Sequence, residues 1–60
     1  MTKDDMIRFI LTRKYFLKQY GIRPGKWRKK ISAELLSVYG VGHSDMFIEC
    51  WIELSSKNLI

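Results

Sequence analysis

The chain has 60 residues, 47% of them hydrophobic, with 11 Lys and Arg against six Asp and Glu, a net charge of +5, one cysteine and one histidine. A domain this short buries only about 60% of the surface its unfolded chain exposes, and a lone Cys50 with a lone His43 excludes an internal disulfide and a Cys/His metal site as supports, leaving a homodimer as the expected one. No apolar run exceeds three residues, which excludes a membrane-spanning helix or a signal-peptide core, so a cytoplasmic protein without integral membrane association is expected.

Thr2-Lys3-Asp4-Asp5 has the form of a capping box, with the Thr2 hydroxyl and the Asp5 carboxylate each placed to accept from the other's backbone N–H. A helix is predicted from there to Gly21, with Met6, Phe9, Ile10, Phe16, Leu17 and Tyr20 as one apolar stripe. Gly21 suits the left-handed position after the helix, where Ile22 folds back onto Leu17 in a Schellman motif. Ile7, Leu11 and Tyr15 fall outside the stripe, so this helix is expected to touch a second chain as well as its own core. Arg13 lies within the stripe; it either snorkels to water or pairs with a carboxylate, for which the acidic residues of the third segment are the expected source.

Ile22-Arg23-Pro24-Gly25 reads as a turn, because Pro24 fixes its own φ and pushes Arg23 toward an extended conformation. In the second helix Trp27, Ile31, Leu35 and Val38 share the inner face, while Lys26, Lys29, Lys30, Ala33 and Ser37 share the outer one, and Gly40 stops it. Gly40-Val41-Gly42-His43 is a short loop, with Ser44 or Asp45 as the N-cap of the third segment. Residues 45–55 suit a strand by residue type, but a lone strand has no partner here, so a helix is predicted. Asp45, Glu49 and Glu53 would form its narrow wet stripe, and Ser55 to Ile60 a short tail. The expected fold class is an all-α domain of three short helices spanning residues 1–60 and dimerising through apolar helix faces.

Charge is segregated along the chain. Residues 1–30 carry ten bases and two acids, net +8, whereas residues 31–60 carry one base and four acids, net −3. The run Lys26-Trp27-Arg28-Lys29-Lys30 with Arg23 before it has no interspersed carboxylate, which departs from an ordinary salt-bridged surface and suits phosphate. Trp27 could stack on an unpaired base, but its spacing to Ile31 and Leu35 places it in the core. The expected function is a small basic regulator that binds DNA or RNA through Arg23, Lys26, Arg28, Lys29 and Lys30, extended by Arg8, Lys14 and Lys18. These residues position a phosphate backbone and do not read bases. The rival reading is a protein-binding inhibitor or adaptor docking on an acidic partner protein, favoured by the surplus of apolar residues. Binding of the first helix to an anionic membrane surface is a third reading, weakened by Arg13 within the apolar stripe.

Leu36 to Ile52 does not make a helix-turn-helix. Glu49 falls where that motif buries an apolar side chain, and Asp45, Glu49 and Glu53 would face phosphate. Nor is catalysis expected: the serines lack a His-Asp arrangement, Cys50 lies among apolar residues, and Gly40 and Gly42 are not followed by a phosphate-loop Lys. No cofactor is expected either.

Overall fold

A computed structural model describes all 60 residues. Three helices, α1 (Lys3–Gln19), α2 (Trp27–Tyr39) and α3 (Ser44–Ser56), are joined by 3-10 turns at Pro24–Lys26 and Val41–His43. The domain is all-α, as its sequence predicts, and residues 45–55 are helical.

The first helix begins at a capping box. Asp5 N–H donates to Thr2 Oγ1 at 3.2 Å and Thr2 N–H donates to Asp5 Oδ2 at 3.1 Å, so two of the unpaired N–H groups at the helix start are satisfied reciprocally. It ends in a Schellman motif: Ile22 N–H donates to the Leu17 carbonyl, Gly21 N–H to that of Lys18, and Gly21 takes φ +76°. The same device closes α3. Asn58, at φ 58°, donates to Ser55 and Leu59 donates to Leu54, so the expected tail is a folded helix end, and Ile60 packs against the core. Ser44 and Asp45 are not N-caps. His43 occupies that position, and the Ser44 hydroxyl instead donates back to the Val41 carbonyl at 3.0 Å.

Eight residues are buried: Met6 and Ile10 of α1, Trp27, Ile31 and Leu35 of α2, and Phe47, Cys50 and Leu54 of α3. The molecule measures 29 × 25 × 16 Å, and its short dimension is less than two helix diameters. Each helix therefore buries only two or three side chains completely and leaves the others partly or wholly exposed. This corrects several expected positions. Val38 stands on the inner face by its spacing but lies in the last turn of α2 and is 61% exposed. Phe16 and Tyr20 are exposed in the same way at the end of α1, whereas Ile7 and Leu11, expected to face a second chain, pack against the core of their own. On α3 the wet face is broader than the carboxylate stripe, because Ile48 and Ile52 are exposed together with Asp45 and Glu49.

The two ends of the chain are tied together by charge. Glu53 accepts from Lys3 Nζ at 2.8 Å and from Lys57 Nζ at 3.2 Å. The Lys3 hydrogen bond, with that of Lys57, holds the Glu53 carboxyl below the ordinary carboxylate range, and the Glu53 hydrogen bond raises Lys3 above the ordinary lysine value. The backbone N–H of Thr2, with its side chain, lowers Asp5. Groups lowered in the folded state favour folding while deprotonated. Their contribution is complete above the unfolded carboxylate values of about 4 and is lost as pH falls through the lower folded values. That of Lys3 is complete below about pH 10.4 and is lost as pH rises through its raised value. Chemical denaturation across pH is expected to show stability falling below about pH 4, with Glu53→Gln making that fall shallower; an unchanged acid limb in Glu53→Gln would contradict this assignment.

Candidate nucleic-acid interface

The turn between α1 and α2 is anchored by Trp27. Its ring is buried and its Nε1 donates to the Ile22 carbonyl at 2.9 Å. This settles the two uses open to Trp27 in favour of the core, since neither face of a buried indole is free to stack. With Trp27, Ile31 and Leu35 inside, the 3.6-residue period turns Lys26, Lys29 and Lys30 outward. These three lysines and Ala33 line one shallow groove on the outer face of α2.

Two further grooves flank that face. On the α3 side Arg28 and Lys29 edge a cleft floored by Leu36, Phe47 and Ile48. On the α1 side Lys30 faces Phe16 and Tyr20 across a groove that also contains Arg13 and Glu34. Arg23, extended at the lead-in to the Pro24–Lys26 turn, is exposed. Arg23, Lys26, Arg28, Lys29 and Lys30 form no ion pair with any carboxylate, and neither do Arg8 and Lys18.

The remaining expected residues, Arg8, Lys14 and Lys18, line none of these three grooves. Lys14 is half-buried on the opposite flank of α1, where its ammonium donates to the Leu59 carbonyl at 2.7 Å and lies 6.0 Å from the Trp27 ring centroid. Lys14 thus holds the chain end in place. Lys18, one turn further on, shares that flank. Arg8 lines another cleft, with Met1, Asp5, Phe9, Tyr39 and His43, which meets the α1–α2 groove at Arg13.

Arg13 finds its carboxylate on α2. Its Nε donates to Glu34 Oε2 at 3.1 Å, and its guanidinium carbon lies 5.6 Å from the Phe9 ring centroid. The expected partner, the acidic stripe of α3, is not used: Glu53 is held by Lys3 and Lys57, while Asp45 and Glu49 make no ion pair. One physical effect is to occupy the only carboxylate of α2, leaving the basic face without internal counter-charge.

Cys50 is fully buried, with Sγ 4.0 Å from the Lys3 carbonyl, and burial pushes its thiol pKa up, the opposite of what a nucleophile needs. No cluster of three or more His, Cys, Asp and Glu side chains forms a metal site, and no helix is long and apolar enough to cross a membrane. Compared with protein-family models, with curated proteins and with solved structures, the chain finds no match in any of the three. Fold and surface together define a small all-α domain with one basic face on its second helix.

Because Arg13 and Glu34 are both partly exposed, a double-mutant cycle between them is expected to give a coupling of about 0.2–1 kcal/mol. The cycle between Arg13 and Glu49 should give none, and the reverse order of couplings in denaturant melts would overturn the pairing.

Proposed function

We propose that this protein is a small basic regulator that binds nucleic acid through the outer face of α2. One observation carries the reading. Arg23, Lys26, Arg28, Lys29 and Lys30 stand within one helical turn and its lead-in, all exposed and none ion-paired, with the single carboxylate of α2 occupied by Arg13. Like-charged side chains this close repel one another unless an anion relieves them, and a phosphate backbone supplies anions at regular spacing while releasing its own counterions. The reading is of binding and not of catalysis, and it carries a cytoplasmic location with it. The side chains are placed to hold phosphates. No Asn or Gln lies on this face to read a base edge.

Changing Lys26, Lys29 and Lys30 together to Ala removes three contacts while keeping helix propensity. The slope of log affinity against log salt is then expected to become shallower by about 2 to 3 units. An unchanged slope, or no binding to DNA or RNA near physiological salt, would contradict the reading.

A second reading has its own support. Leu36 and Ile48 are exposed beside Arg28 and Lys29 in the cleft between α2 and α3, which suits an adaptor docking on an acidic protein with apolar anchors. Recovery of a specific partner from nuclease-treated extract, with no nucleic-acid binding by the purified chain, would establish it instead.

Self-association belongs to both readings. A core of eight residues is small, and Ile48 and Ile52 lie exposed one turn apart on α3. The expected result is a melting temperature that rises with protein concentration and a sedimentation profile heavier than a 7.2 kDa monomer. A folded monomer at micromolar concentration with a melting temperature unchanged on dilution would contradict it.

A further inference from the structure

Phe16 lies in the last turn of α1 and Tyr20, four residues on, is its C-cap, so both rings project from the same side of the helix end. Both line the groove between α1 and α2, above Leu17 and Ile31 and facing Lys30. Neither is packed away: Tyr20 is 80% exposed and Phe16 is 44% exposed. The Tyr15 ring meets Phe16 edge-on at a centroid distance of 6.2 Å. The one carboxylate in the groove, Glu34, is already bound to Arg13.

Lys30 lines this groove and also the neighbouring one with Lys26 and Lys29. The aromatic side chains and the unpaired ammonium groups are thus parts of one continuous surface. Such a combination suits a particular form of nucleic acid. In a duplex the base faces are stacked on one another and only phosphates and groove edges are offered, whereas a single strand offers phosphates and free π faces together.

From this juxtaposition we infer that the ligand is single-stranded, with unpaired bases stacking on Tyr20 and Phe16 while the adjoining phosphates lie along Lys30, Lys26 and Lys29. The inference rests on the phosphate-binding reading above and adds the strand form to it. Stacking tolerates any base, in keeping with a face that holds no Asn or Gln.

The test measures affinity of the full-length protein for an oligothymidine strand, an abasic strand of equal length and a duplex, each across a range of salt. The expected order is oligothymidine above both others. Tyr20→Ala should weaken oligothymidine binding by about five- to 150-fold, the loss of one stacked base. It should leave the salt slope and the abasic-strand affinity unchanged, because no charge is removed. Tyr20→Leu, which keeps an apolar side chain at that position but has no π face, should lose the same preference and decides the matter if the Ala variant unfolds. Equal affinity for oligothymidine and abasic strands, unaffected by either substitution but steeply salt-dependent, would overturn stacking and leave phosphate binding standing. Absence of salt-dependent binding to all three ligands would overturn both, as would occupation of the groove by a protein partner alone.

Discussion

The size of the core is the constraint on which the rest of this molecule depends. Met6 and Ile10 are the only fully enclosed residues of α1, and they meet three residues from each of the other helices. Volume-filling side chains are thus concentrated in one small cluster. Trp27 contributes twice, by its area and by the Nε1 bond to the Ile22 carbonyl, which fixes the α1–α2 turn. That bond decides which side chains of α2 meet solvent. With the indole held inward, the helical period directs Lys26, Lys29 and Lys30 to solvent, and a register shift of one residue would rotate them by about 100°. The basic face is therefore a consequence of how the core is closed.

The electrostatic design follows from local pairing. Asp5 serves the cap of α1, Glu34 is bound by Arg13, and Glu53 by Lys3 and Lys57. What remains unpaired is of both signs on α1 (Asp4, Arg8 and Lys18), cationic on α2 and its lead-in, and anionic on α3, where Asp45 and Glu49 stand on the outer face. The charge imbalance between the two halves of the sequence thus survives folding as a difference between neighbouring helices. A field of this kind orients an approaching polyanion toward α2 and away from α3.

Much of the fold was legible in the sequence because it is governed by neighbours along the chain. The Thr2–Asp5 box, the Gly21 Schellman turn and the inward Trp27-Ile31-Leu35 row are local in origin and stand in the structure as read. Failures came where tertiary reach decides the outcome. Val38, Phe16 and Tyr20 have the right angular position for burial but sit in the last turn or at the C-cap of their helices, where they stay exposed. Ile7 and Leu11 have the wrong angular position for a single stripe, yet α1 is flanked by two helices and buries a wider arc. Asn58 carried a readable signal, since Asn is the common alternative to Gly at the left-handed end of a helix. On the binding surface the cluster from Arg23 to Lys30 was visible as a run without carboxylates. The partner of Arg13 was not, because pairing across helices depends on packing. For the same reason Lys14, indistinguishable by sequence from the other bases, is diverted to the Leu59 carbonyl.

The central claim is that the outer face of α2 and the adjoining aromatic side of α1 form one surface for a polyanionic strand. Residue-resolved NMR of the labelled protein titrated with a single-stranded oligonucleotide tests it most directly. The account predicts shifts concentrated at Phe16, Tyr20 and the segment from Arg23 to Lys30, with Asp45, Glu49 and Ile52 undisturbed. Perturbations centred on α3, or none at any residue when the strand is in excess, would contradict it.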